Sequence, residues 1–376
     1  MAGGAAQMIN LLHVIDTGGP GGAETVFMHT TTGLDAQRFR SVSIVGREGW
    51  LAESMRKRGA SPEIVDPRGS FNTRYLRHIL RTARAHRADL IVGHLYGSAV
   101  YCSLAGRLLG LPVVSVLHGQ SDVPTTGRFA LAKRFVVRAG SKRLVLVSDK
   151  LRRDLRPLLG GLADDATVIP NGVDVERFSG AGRAPLRTDL GLPADAILVG
   201  AVGNIRPAKA YDVLLEAARL LCDRSPRYRF AIAGEGSGTL FSDLQELRRK
   251  LKLDQQVSFL GLRSDVAELL RSFDVYALSS TTEGFSIACI EAMAGGTPVV
   301  ATRSGGPEDI LEHERSGLLV PTRDPTALAD AIERVAMQPA LAGTLVANAK
   351  ERVSARYTLR AMIESYEKLF TRLVET

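Results

Sequence analysis

Two textures alternate along the 376-residue chain. Short runs rich in Val, Ile and Leu occupy the first half (INLLHVID, SVSIVG, DLIVGH, PVVSVLH, RLVLVS) and the second (AILVGAVGN, RFAIAG, VSFLG, DVYALS, TPVVAT). Between them lie longer segments with helical periodicity, DVLLEAARLLCDR among them. Continuous apolar runs, rather than alternating ones, are what strands require when helices cover both faces of a sheet. The pattern predicts two doubly wound, Rossmann-like α/β domains with parallel sheets. The stretch IPNGVDVERFSGAGRAPLRTDLGLPADA interrupts the periodicity with Asn, Gly and Pro, which places the connection near residues 172–190. Ligands of such sheets bind beyond the carboxyl ends of the strands, so the chemistry is expected in a central cleft that the two domains face. The final segment, RYTLRAMIESYEKLFTRLVET, reads as an amphipathic helix with Leu359, Ile363, Tyr366 and Leu369 or Phe370 along one stripe.

Composition narrows the class. The 45% hydrophobic and 23% charged shares are ordinary for a globular enzyme. No run approaches the ~18 apolar residues of a membrane span. The start, MAGGAAQMINLLHVID, has no basic leader, so a cytoplasmic protein is expected. Cys102, Cys222 and Cys289 lack metal-ligand spacing and read as packing residues. The net charge of +8 comes from the first half: residues 1–178 carry 24 Lys and Arg against 15 Asp and Glu. The excess concentrates in TRYLRHILRTARAHR and GRFALAKRFVVRAGSKR, where cations alternate with apolar residues. Two readings stay open: a solvated helix face, or a cytosolic face attracted to anionic lipid or to a phosphorylated acceptor. No zinc, helix-turn-helix or stacking signature points to nucleic acid.

Three segments could carry chemistry. DTGGPGGAE, residues 16–24, follows the first strand and opens a helix, offering backbone N–H groups to an anion. Its glycine spacing fits neither the dinucleotide fingerprint nor a Walker loop. VGNIRPAKAYDVLLEA places Arg206 and Lys209 just past a strand, a position suited to a diphosphate. SSTTEGFSIACIEAMAGGTPVVAT reads as strand end, loop and short helix, with Glu283 before the helix and Glu291 about two turns inside it. Amides of Phe285, Ser286 and Ile287 at the helix start favour a phosphate, while the carboxylates suit neutral hydroxyls of a sugar or ribose. No Asp-x-Asp metal motif sits at a strand end, so no metal and no cofactor are expected.

These segments, with GGPGGAE, IPNGVD, KAYDVLLEA, AGEG, VSFLG and GGPEDI in that family's order, resemble the retaining GT-B glycosyltransferases of family 4, with two Glu flanking seven residues. The resemblance implies a nucleotide-diphosphate sugar as donor, UDP more than GDP. Glu283 would bind sugar hydroxyls and Glu291 the ribose, with the amides of Phe285, Ser286 and Ile287 on the pyrophosphate. Lys209 matches the family's pyrophosphate lysine. The family's Arg is replaced by Asn204, and Arg206, two places on, would reach the phosphates instead. Gly22 would approach the donor from the first domain, His118 would touch the donor sugar, and Arg263 would lie beside the base. Glu283, His118, Arg206 and Lys209 are thus the catalytic set, acting on an oxocarbenium-like ion pair. The last helix would return to the first domain, giving domains of 1–175 plus about 357–376, and 176–356. The acceptor is expected to be a glycan, glycolipid or polyprenyl-linked intermediate of bacterial surface polysaccharide or glycolipid synthesis. It would be met by loops near 66–75, 94–101 and 119–130. The alternatives are a soluble glucan or small-molecule acceptor such as an inositol phosphate, a nucleotide-sugar epimerase, or a non-catalytic binding subunit.

Overall fold

The computed structural model describes residues 8–69, 72–127, 129–180 and 186–375. They form two units, each built on one all-parallel sheet. The first holds β1 (Ile9–Ile15), β2 (Phe39–Val45), β3 (Glu63–Ile64), β4 (Leu90–His94), β5 (Val113–Leu117), β6 (Arg143–Leu146) and β7 (Thr167–Val168), in the order β3-β2-β1-β4-β5-β6-β7. The second holds β8 (Ile197–Val202), β9 (Tyr228–Ala233), β10 (Val257–Gly261), β11 (Val275–Leu278), β12 (Val299–Thr302) and β13 (Leu318–Val320), in the order β10-β9-β8-β11-β12-β13. Both sheets follow the doubly wound order that reverses beside the first strand of each unit. Every residue of β4, β5, β11 and β12 is buried, which explains why these strands read as unbroken apolar runs.

The helices start and stop where local chemistry dictates. Asn72 accepts the Tyr75 N–H at 2.9 Å to open the helix Thr73–Ala85, and Asp324 accepts the Ala327 N–H at 2.8 Å to open Pro325–Met337. Gly110 and Gly296, both left-handed, close the helices Tyr96–Leu109 and Ile287–Gly295. In the second unit, Leu214, Leu215 and Leu221 pack with Phe230, Ile232 and Leu328 into one core.

The chain passes between units at Asn171 to Gly172 and again at Thr358 to Leu359. The expected divisions at 175 and 357 are thus displaced by a few residues. The cause is the pairing of Val173 with Thr358 and a 2.8 Å bond from the Val173 N–H to the Tyr357 carbonyl, which tie both crossing strands into the second unit. The helix Leu359–Glu375 belongs to the first unit, burying Met362, Ile363, Tyr366, Leu369, Phe370 and Leu373. Its polar side is also tied down: Glu367 accepts the Asp35 N–H at 2.7 Å, and Arg38 donates to the Thr371 hydroxyl at 3.0 Å. Phe370 is fully buried against Tyr366 and His13. Phe370→Ala is therefore expected to cost about 3–5 kcal/mol of the first unit's stability, read as a lowered urea midpoint in an otherwise unchanged fold.

Candidate active site

In the second unit the carboxyl ends of β8, β11 and β12 meet. The chain leaves β8 through Gly203 into a 3-10 turn, Pro207–Lys209, and Ala210 then adopts a left-handed conformation (φ 45°, ψ 51°) before the next helix. A non-glycine residue there costs about 1–2 kcal/mol, so the surroundings must impose it. They do so from the loop after β11: the Ser279 hydroxyl donates to the Lys209 carbonyl at 2.8 Å, and the Thr281 N–H donates to the Ala208 carbonyl at 2.8 Å. The result aims Lys209 at Glu283. Its Nζ donates to Glu283 Oε1 at 2.7 Å, and the Ser280 hydroxyl donates to the same oxygen at 2.6 Å. Both ionic side chains are mostly buried, 19% and 14% exposed, so the pair is far better insulated than the surface bridges.

Glu283 is fixed by its backbone as well. Its N–H donates to the Ser304 carbonyl at 2.7 Å, and its carbonyl accepts the Gly306 N–H at 2.8 Å. Gly306 has no room for a side chain, since a Cβ would fall 2.4 Å from Phe285 Cα. Phe285 is buried, with its ring edge against Tyr357. Ser286 caps the helix Ile287–Gly295 in an extended conformation, yet its Oγ, although buried, has no hydrogen-bond partner among the described residues. A buried hydroxyl without a partner costs free energy, which a polar ligand would recover.

Glu291 lies little more than one turn into that helix, nearer its start than the sequence spacing suggests. Burial pushes its carboxyl up to about 7, and Arg177 on the helix Val175–Phe178 pulls it back in part. The Cys289 thiol is buried and raised by burial, consistent with a packing residue. Asn204 uses its amide oxygen to accept the Glu235 N–H at 3.0 Å, while Arg206 is exposed at the start of the 3-10 turn. Arg263 grips Asp265 through two bonds of 2.8 and 2.5 Å.

Gly22 and His118 belong to the first unit. Gly22 is the first residue of the helix Gly22–Thr32. His118 follows β5, and Asp122 holds the turn by accepting the N–H groups of His118 and Gly119, each at 2.9 Å. Its ring stacks on His94, with His94 Nδ1 3.4 Å from His118 Nε2, and His13 continues the row across β1. Burial pushes His118 down to about 4 and His13 to about 3 and also lowers His94, so the row is neutral at physiological pH.

The fold thus brings Lys209, Glu283, Phe285 and Ser286 into one set of packed loops. Sequence reasoning missed Ser280, Tyr211 and the loop of Ser304 and Gly306. Ser280 was visible as the third residue before Glu283. The Tyr211 hydroxyl, which donates to the Gly203 carbonyl at 2.7 Å, left no signal beyond its place at a helix start. Asp122, four residues after His118, had the short spacing from which Asp bonds nearby backbone. Among the described residues, no three His, Cys, Asp or Glu side chains cluster as metal ligands.

The model for the glycosyl transferases group 1 matches residues 183–352, and that for glycosyltransferase family 4 matches residues 20–177. The chain is 35% identical over 302 residues to a D-inositol 3-phosphate glycosyltransferase of Saccharomonospora viridis, covering 74% of this chain and 70% of the relative. A protein of the same description from Kineococcus radiotolerans is 32% identical over 330 residues, covering 80% and 75%. Among solved structures, Anabaena HepE in complex with UDP-glucose superposes with a TM-score of 0.88 at 22% identity, over 97% of this chain and 100% of that one. Sucrose-phosphate synthase from Thermosynechococcus elongatus gives 0.78 at 21% identity, over 97% and 99%. With two Rossmann-like units and these relatives, the chain belongs to the GT-B glycosyltransferases of the family 4 type, enzymes that use a nucleotide sugar.

Proposed function

We propose that this enzyme transfers a sugar from UDP to an acceptor hydroxyl with retention of configuration and without a metal ion. The observation that carries the reading is the Lys209–Ser280–Glu283 cluster beside the unpartnered Ser286 hydroxyl. An ammonium has three N–H donors, so Lys209 can hold Glu283 and still reach a diphosphate oxygen. Glu283 then receives sugar hydroxyls, and Glu291 receives the ribose hydroxyls. The Ser286 hydroxyl and the amides of the helix start take phosphate oxygens, where the helix dipole favours them. As the bond from the anomeric carbon to UDP breaks, Lys209, with Arg206 alongside, stabilises the charge that develops on the leaving diphosphate. The acceptor oxygen bonds to the same face of that carbon, and its proton passes to the departing diphosphate.

The acceptor in this reading is a lipid-linked or glycan intermediate of surface polysaccharide or glycolipid synthesis, met at an anionic membrane surface. Support comes from the helix Ala130–Gly140, where Leu131 is 76% and Phe135 72% exposed while all its charged residues (Lys133, Arg134, Arg138) are cations. No helix among the described residues is long and apolar enough to cross a membrane. A second reading, a soluble polyol phosphate as acceptor, is favoured by the names of the inositol phosphate relatives.

UDP is expected to raise the melting temperature more than GDP or ADP does, and equally with EDTA present; no shift with any nucleotide would overturn the donor assignment. Glu283→Ala and Glu291→Ala are each expected to lower turnover at least ~10-fold, and full activity in both would refute the carboxylate roles.

The raised carboxyl of Glu291 makes a separate prediction. If its ionised form receives the ribose, UDP affinity falls as pH drops from 8 through about 7, approaching a tenfold loss per pH unit well below it. Glu291→Gln removes this dependence, which titration calorimetry between pH 6 and 8 would register. Without nucleotide the sign reverses. Burial favours the protonated form, so the stability associated with Glu291 is full below pH 4.5 and is lost as pH rises from there through about 7.

A further inference from the structure

The second place where the chain passes between units is joined to the loop of Glu283. Tyr357 stands just before Thr358, the residue that pairs with Val173, and is only 3% exposed. Its ring meets the Phe285 ring edge-on, with centroids 5.7 Å apart and planes at 70°. Its hydroxyl donates to the Asp309 carbonyl at 2.9 Å, and its own carbonyl accepts the Val173 N–H at 2.8 Å. One residue thus ties together three segments that lie far apart in the sequence.

Two of these ties converge on the turn that carries Glu283 and Ser286. Asp309 belongs to the short helix Gly306–Ile310, whose first residue donates its N–H to the Glu283 carbonyl and leaves no space for a Cβ against Phe285. Phe285 is therefore held through its backbone by Gly306 and through its ring by Tyr357. Arg352 steadies the same helix, donating through Nε to the Ile310 carbonyl at 2.6 Å and through Nη2 to the Asp309 carbonyl at 3.1 Å. A carbonyl has two lone pairs, so Asp309 accepts from both Arg352 and Tyr357. These bonds satisfy carbonyls at the end of a helix, which helical N–H groups cannot reach. The Tyr357 ring, fixed at both ends, is a firm surface for Phe285. Groups that bind a ligand through backbone amides have to be held to within about 0.5 Å of their working geometry, and neighbours locked in place by packing and hydrogen bonds provide this.

We propose that Tyr357 is a positioning residue of the transferase. It acts through Phe285: its ring fixes the turn so that the amides of Phe285, Ser286 and Ile287 face the diphosphate of the donor. The assignment rests on the donor reading above and deepens it by naming the side chain that supports the diphosphate seat.

The test compares UDP with uridine, which lacks the diphosphate, by calorimetric titration of the full-length protein well below its melting temperature. Tyr357→Leu, which removes the ring, is expected to weaken UDP about tenfold while uridine stays within about twofold of wild type. Tyr357→Phe keeps the ring against Phe285 and leaves Arg352 on the Asp309 carbonyl, so UDP is expected to bind within about threefold of wild type. If Tyr357→Leu does not fold, Tyr357→Met, which fills more of the ring's volume, is measured in its place against the same outcomes. UDP affinity unchanged without the ring overturns the proposal. So does an equal loss of UDP and uridine, which marks a general loosening of the unit, and so does a Tyr357→Phe variant that loses as much UDP affinity as Tyr357→Leu. Absence of UDP binding in wild type refutes the donor reading itself, and the positioning role falls with it.

Discussion

The ion pair between Lys209 and Glu283 is the interaction on which the second unit's working edge is organised. Its members come from loops after different strands, and each loop is shaped by the other. Ser279 and Thr281 impose the turn that ends at left-handed Ala210, and that turn delivers Lys209 to Glu283. The loop after β12 then clamps Glu283 through its backbone, with Gly306 pressed against Phe285. A mostly buried ion pair seldom adds net stability, because the desolvation of both charges offsets their attraction. A chain that maintains one together with a strained backbone residue and an unpartnered buried hydroxyl is storing cost at a site, as ligand-binding edges do.

The two units share a winding and differ in what they present at equivalent edges. At the second sheet's edge Lys209 is paired with Glu283, and Ser286 opens a helix with its hydroxyl buried. Around the first stand neutral buried histidines and the carboxyl of Asp16, which burial pushes up to about 6. Burial accounts for this difference in charge state. Fully enclosed imidazoles without an anionic partner lose their proton, and an enclosed carboxyl without a cation beside it retains its proton to higher pH.

Much of the architecture was legible in the sequence. All ten apolar runs became strands, and the final amphipathic stripe, including Tyr366 and Phe370, became the buried face of the helix Leu359–Glu375. Three strands were missed: β3 and β7 have two residues each, and β13 has three, too few for any pattern to register. The domain divisions were displaced because Val173 pairs with Thr358, a contact between residues far apart in the chain that no local window contains.

By itself, the sequence determined the two parallel sheets, the helix capped by Ser286 and the presence of Lys209, Glu283 and Glu291 at strand ends or helix starts. These follow from local rules: apolar runs for strands covered on both faces, glycine where the chain must turn, cations and amides where a phosphate is favoured. Only the tertiary structure decided that Lys209 pairs with Glu283, that Asn204 is tied to the Glu235 backbone, that Glu291 is pushed up to about 7 and that Tyr357 packs on Phe285. Each of these depends on groups separated by tens of residues being brought within a few ångströms and sheltered from water. Burial and long-range contact, which set charge state and the shape of a site, are properties of the packed chain.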